Sequence, residues 1–205
     1  LPDGRKSRVR GLEVHGEEVP LAVAGSRAAI NLSGLERDEL QRGLVVSNGK
    51  VPCASMVDVR LQILGSAPEL KDGAEVWVLL GTSERIAKLH IADDVDTLKP
   101  GATLCAQLRL NAPLVCLPGD HFIIRRVSPL DTVGGGVVVD PWVARMRRKN
   151  RVVHGEQIAR LHDGEIQVWL ERAGEEGLSE VSWQERTGGV DKGHLIGSFR
   201  FSESI

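Results

Sequence analysis

Tyrosine is absent from the 205-residue chain, and phenylalanine and tryptophan number only three and four. Valine, leucine, isoleucine and alanine must therefore fill the core, and the β-branched members of that set favour strands. Only three cysteines occur, Cys53, Cys105 and Cys116, with no C-x-x-C pair. An odd, widely spaced set argues against a disulfide framework and suits free thiols in a reducing cytoplasm, read as small buried apolar residues. The six histidines, His15, His90, His121, His154, His162 and His194, show neither HxxxH nor HExxH spacing, so no metal-site pattern is present. No apolar run reaches the ~18 residues of a membrane-spanning helix, and no signal-peptide pattern is visible. There is no GxxxxGK[ST] phosphate loop and no GxSxG nucleophile turn. Cys116 and His121 lie close enough in sequence to be a cysteine-hydrolase pair, yet no third group is evident to orient them. The chain by itself reads as non-enzymatic, with no cofactor and no metal of its own.

What is present is a strand-and-turn pattern. The 23 glycines accompany many short valine-rich runs. Met56 to Leu64 alternates, with Met56, Asp58, Arg60 and Gln62 on one face and Val57, Val59, Leu61 and Ile63 on the other, as a half-buried antiparallel strand does. Further runs, Glu75 to Leu80, Glu84 to Ile91 and Thr103 to Leu110, are separated by turns at Lys71-Asp72-Gly73 and Lys99-Pro100-Gly101. Turns at such short intervals with no long helical period indicate a closed antiparallel barrel over 52–141, with a domain boundary at Pro52. Upstream, Arg8 to Leu12 and Arg27 to Leu32 read as strands; in the second, Ala28, Ile30 and Leu32 share one face and Arg27, Ala29 and Asn31 the other. Beyond Pro141 the pattern changes. Arg145, Arg147, Arg148, Lys149 and Arg151 form a basic cluster, read as a solvated linker over 143–162 with phosphate contact as the alternative. From Asp163, taken as N-cap, apolar residues recur at helical spacing through Ala173, and a second helix spans Ser179 to Arg186, ended by Gly188-Gly189. Residues 1–150 hold 20 basic and 18 acidic side chains, an excess of +2; residues 151–205 hold 6 and 10, a deficit of −4. A modest positive excess in the barrel region permits RNA contact without requiring it.

The stretch around which the chain is organised is Pro118 to Pro141. A Pro-Gly-Asp turn precedes a strand from His121, then Ser128-Pro129, then Gly134-Gly135-Gly136 followed by three valines. Glycines between β-branched strands suggest a sharp bend or a close approach of the backbone to another group. This stretch resembles the last two strands of the third domain of elongation factor Tu-like translation factors. Residues 22–46, with Ala24-Gly25-Ser26-Arg27, resemble the end of the second domain of the same family, and the nearest likeness is to its selenocysteine-specific branch, SelB. The two motifs stand in the family's order, and the likeness covers residues 7–142.

The resemblance implies a mainly β fold: two antiparallel barrels, the first truncated (1–51, then 52–142), followed by a helical, partly winged-helix-like module at 163–205. It implies that GTP and magnesium belong to an N-terminal GTPase domain that this chain lacks, and that these barrels hold aminoacyl-tRNA for a cytoplasmic factor working at the ribosome. Carried onto this sequence, Arg27 lines a pocket for the selenocysteine end of the tRNA. Arg125, Arg126, Thr132, Gly134, Gly135 and Gly136 become tRNA contacts. Asp131 departs from the basic residue that elongation factor Tu has before its Thr-Val-Gly, which argues against a phosphate contact at that position. Two other readings stay open at this point: the barrels of another elongation factor Tu-like GTPase, and a non-enzymatic β-barrel that binds other proteins.

Overall fold

A computed structural model describes residues 5–47, 51–187 and 201–202, in two compact units that meet at Pro52 and Cys53. The first unit is a three-stranded antiparallel sheet. Strands β1 (Val9–Val14), β2 (Glu17–Val19) and β3 (Ala28–Leu32) are arranged β2-β1-β3. The β1–β2 hairpin turns on His15 and Gly16, both at positive φ. Beyond β3, Arg37–Glu39 forms one 3-10 turn. None of the described side chains of this unit is buried. The apolar face shared by Ala28, Ile30 and Leu32 on β3 is therefore only partly covered: Ala28 and Leu32 are half-buried, but Ile30 is 43% exposed. Alternation marks a face, and burial requires something packed over it.

The second unit carries the closed barrel that the alternating runs predict. Its six long strands are β4 (Cys53–Ile63), β6 (Glu75–Leu80), β7 (Ser83–Ile91), β9 (Thr103–Val115), β10 (His121–Arg126) and β11 (Thr132–Asp140). They close in the order β10-β11-β4-β9-β7-β6, every pair antiparallel. A small ribbon of β5 (Leu70–Lys71) and β8 (Thr97–Leu98) lies beside them. No helix interrupts residues 53–140. Val57, Val59, Leu61 and Ile63 all point inward, as their alternation requires, and pack with Val76, Leu89, Leu108 and Ile124 in one core. Cys116 belongs to that core, and burial pushes its thiol up to about 12. A thiol so buried is a small apolar core residue, as expected, and is not presented as a nucleophile beside the exposed His121.

The region after Pro141 departs from expectation in two places. Residues 143–162, expected as a linker, contain helix α1 (Arg151–His162) after a 3-10 turn at Arg148–Asn150. The helix escapes notice in the sequence because its apolar pattern is thin: Val152 and Val153 are exposed and only Gly155, Ile158 and Leu161 are buried. Gly155 lies so close to the barrel that an added Cβ would sit on the Ala92 carbonyl oxygen. Asp163 closes α1 as its C-cap instead of opening the next helix, and Gly164, at φ +95°, turns the chain. Helix α2 (Val168–Ala173), strand β12 (Leu178–Ser179) and helix α3 (Glu180–Thr187) follow. Strand β13 (Phe201–Ser202) pairs parallel with β12. Gly188-Gly189, expected to end the second helix, lies outside the described residues. Ala92, Cys105, Val139, Met146, Ile158 and Trp169 form a second apolar cluster that joins the helices to the barrel wall.

Candidate nucleic-acid interface

The β10–β11 hairpin brings together most of the residues expected to touch tRNA. Arg125 pairs in register with Thr132, at a shift in the ladder after Ile124. Arg125 Nη2 donates to the Leu130 carbonyl at 3.0 Å, and Arg126 Nη2 donates to the Ser128 carbonyl at 3.2 Å. The Arg126 amide donates to the Asp131 carbonyl at 2.8 Å, which tightens the loop through the cis Ser128-Pro129 bond. Both guanidiniums are thus tied to the loop's main chain while their residues remain half-exposed, and neither forms a salt bridge among the described residues. Asp131 and Thr132 are exposed beside them.

Gly134, Gly135 and Gly136 lie inside one continuous strand, so the reading of this triplet as a sharp bend is corrected: the requirement is close approach. A Cβ on Gly134 would come within 2.4 Å of the Gln62 carbonyl oxygen, on Gly135 within 2.6 Å of that of Phe122, and on Gly136 within 2.0 Å of that of Arg60. Their φ values are not positive. The glycines let β11 wedge between β4 and β10, and so close the barrel beneath the hairpin.

Arg27 stands in the other unit. Gly25, at φ +85°, and a Ser26 amide bond to the Val23 carbonyl form the turn that presents it just before β3. It is exposed, and among the described residues it makes no hydrogen bond or ion pair.

A buried ionic network escaped the sequence reading. Asp58 and Asp140 are almost wholly buried on the outer side of β4 and β11, beneath the helices. Arg172 of α2 reaches both, with Nη1 2.9 Å from Asp58 Oδ2 and 3.2 Å from Asp140 Oδ2. His154 Nε2 lies 2.7 Å from Asp58 Oδ2. Arg186 of α3 donates to the Trp142 carbonyl at 2.8 Å and stacks 5.4 Å over the Trp142 ring. Burial pushes the Asp140 carboxyl above the usual carboxylate range, opposed by the guanidiniums of Arg186 and Arg172. Buried Gln107 donates to Asp58 Oδ1 at 3.1 Å and accepts from the Met146 amide at 2.9 Å. Nothing local in the sequence marked it, since an aspartate between two inward valines, Val57-Asp58-Val59, is the usual pattern of a solvent-facing position; once the helices cover that face, the carboxylate needs cationic partners. Among the described residues no group of three or more His, Cys, Asp or Glu could hold a metal ion.

Comparison with known proteins bears on this arrangement. Residues 56–145 match the model of the selenocysteine-specific elongation factor β-barrel domain. The chain is 42% identical over 153 residues to the selenocysteine-specific elongation factor of Desulfomicrobium baculatum, covering 74% of this chain and 24% of that protein. The chain belongs to the selenocysteine-specific elongation factor family. The crystal structure of the bacterial selenocysteine-specific elongation factor EF-Sec agrees, with a TM-score of 0.73 and 25% identity over 92% of this chain and 29% of that one. An uncharacterized protein of Methanocaldococcus jannaschii is 32% identical over 60 residues, 29% of this chain and 20% of its own length. The chain thus spans about a quarter of the length of the selenocysteine-specific factors it resembles, and supplies a barrel-domain part of such a factor. Arg125, Arg126, Thr132 and the three glycines all fall within the matched 56–145; Arg27 lies outside it.

Proposed function

We propose that this stretch holds aminoacyl-tRNA, with selenocysteinyl-tRNA as the cargo, inside a cytoplasmic factor that delivers it to the ribosome and binds GTP and magnesium in a separate GTPase domain. The observation that carries the reading is an exposed, unpartnered guanidinium at Arg27, on backbone set by the Gly25 turn, in a member of this family. A selenol ionises more readily than a serine hydroxyl, so a positioned guanidinium favours the selenolate by charge-assisted hydrogen bonding. The hairpin supplies phosphate contacts of the positioning kind through Arg125 and Arg126, while Thr132 offers a hydroxyl.

The test is dissociation of selenocysteinyl-tRNA and seryl-tRNA from the intact factor and its Arg27→Ala variant, with GTP present at fixed salt. A charge-assisted bond worth about 1.5–3 kcal/mol corresponds to a roughly ten- to hundredfold loss confined to the selenocysteinyl form. A fully wet pocket reduces that figure. Arg27→Lys restores part of the preference, because an ammonium lacks the planar fork. Equal losses for both tRNAs would make Arg27 a general contact, and no loss would remove it from the site.

A further inference from the structure

The basic cluster at 145–151 is absorbed neither by the hairpin nor by Arg27. It forms one wall of a cleft of about 720 Å³ against β7 and β9, lined by His90, Arg109, Arg145, Arg147, Arg148 and Arg151 with the Asp72 carboxylate. The cations divide into two sets. Arg151 is neutralised by Asp96 at 2.6 Å and Asp94 at 3.1 Å, and Arg148 lies 3.5 Å from Asp96. The side chains of Arg145 and Arg147, by contrast, are exposed and make no hydrogen bond or ion pair among the described residues. Asp72 is already engaged: its Oδ1 accepts from the Ile91 amide at 2.8 Å and lies 3.8 Å from His90 Nδ1.

Arg109 is the built part of the site. Its Nε donates to Gln107 Oε1 at 3.2 Å and its Nη2 to the Met146 carbonyl at 2.9 Å. Gln107 is itself wholly buried and held by Asp58 and the Ala144 carbonyl. The guanidinium is therefore aimed into the cleft by a buried chain of hydrogen bonds, without a carboxylate of its own. Burial, and then the neighbouring charge of Arg145, depress its basicity, with Asp72 opposing. Burial likewise depresses His90, followed by Arg109, with Arg145 and Lys88 adding and only Asp72 opposing. Asp72 offsets this crowding of like charges only in part and is already engaged by the Ile91 amide, so a bound anion relieves the rest, and planar guanidiniums match the oxygens of a phosphate. Helix α1 starts beside the cleft at Arg151 with no acidic residue in its first turn, so its positive end adds to the same field.

We propose that the cleft walled by Arg109, Arg145 and Arg147 is a phosphate-binding site, occupied by the backbone of an RNA. The choice of RNA rests on the tRNA-holding reading above; the phosphate site stands without it. The variant to use is Arg145→Gln with Arg147→Gln, since both side chains are exposed and unpartnered and their loss leaves the fold intact. The first measurement is binding of a labelled selenocysteine tRNA transcript to the 205-residue chain across a salt series. The double variant is expected to lower affinity about tenfold and to reduce the salt slope by about 1–2, whereas Arg125→Gln with Arg126→Gln leaves the contribution of the cleft in place. The second is an NMR titration of His90 with inorganic phosphate, which should raise the pKa of His90 in the wild type and not in the double variant. A His90 response with unchanged RNA affinity would keep the site and assign it to a small phosphate compound, overturning the RNA source. A His90 response with no tRNA binding at all would remove the tRNA-holding reading for this chain while the phosphate site stands. No response of His90 to phosphate, together with an unchanged RNA salt slope, overturns the proposal.

Discussion

The two units of this chain use similar strands to different effect. In residues 53–187 six strands close on themselves, so the ladder has no free edge and the inward side chains bury one another. In residues 5–47 three strands form an open sheet with β2 and β3 as its edges, and no described side chain is buried. Leu61 of the barrel is 0% exposed, whereas Val9 and Ile30 of the sheet are 46% and 43% exposed. Fully burying such a side chain contributes about 1.5–3 kcal/mol, and the sheet collects little of that. The contrast bears on function. The hairpin arginines and the arginine-lined cleft stand on a rigid wall, while Arg27 stands on a sheet that has no core of its own within its unit.

The comparison can be broken most forcefully at Asp58. Removing one member of a buried charge network leaves the others uncompensated, so Asp58→Ala should cost about 3–5 kcal/mol in urea denaturation of the barrel unit. A loss below about 1 kcal/mol would show that the helices are not locked to the barrel through this carboxylate. Next in size is hydrogen exchange. Amides of β1 to β3 should open with about 3 kcal/mol less free energy than those of β4 and β9, roughly a hundredfold in rate. Equal protection in both would erase the distinction between the units.

A matched pair of glycine substitutions sharpens it further. Gly136→Ala drives a methyl group into the Arg60 carbonyl and should cost about 1–3 kcal/mol or more. Gly25→Ala meets open space and strains only a left-handed φ, at a cost of about 1 kcal/mol. If the two denature alike, close approach is not what fixes the triplet. The smallest effect is the pH dependence of His90. Its pKa is depressed in the folded state, so its contribution to stability is present above the unfolded value of 6.5 and is lost as pH falls through the folded value. His90→Gln should flatten that part of the acid side of the stability curve, measured as the difference between variant and wild type.

The barrel was legible because period-two alternation in β4 and β7 marks their inward residues, and turn residues at short intervals set off β6 and β9 as further strands. Pro52 was legible as a boundary because it separates two strand patterns. Helix α1 was not legible, because its contact with the barrel is made by backbone at Gly155 and leaves only Ile158 and Leu161 as apolar markers. Asp163 looked like a helix start because an aspartate suits either end of a break, and only Gly164 at positive φ decides between them. The ionic network joins Asp58, Asp140, Arg172 and His154 over long separations in sequence, and no local pattern reports such a pairing. The hairpin arginines were proposed as tRNA contacts from the family resemblance, whereas their tethering to the loop carbonyls was not visible in the sequence. Arg109 went unnoticed because a lone arginine in an alternating strand looks like an ordinary solvent-facing residue.

The claim that this stretch holds tRNA is tested most directly by the affinity of the 205-residue chain for selenocysteine tRNA as a function of salt. Contacts from Arg125, Arg126 and the cleft arginines predict saturable binding whose logarithm falls linearly with the logarithm of salt, with a slope of about −2 or steeper. Absence of saturable binding, or an affinity that stays flat across the salt series, would contradict the account.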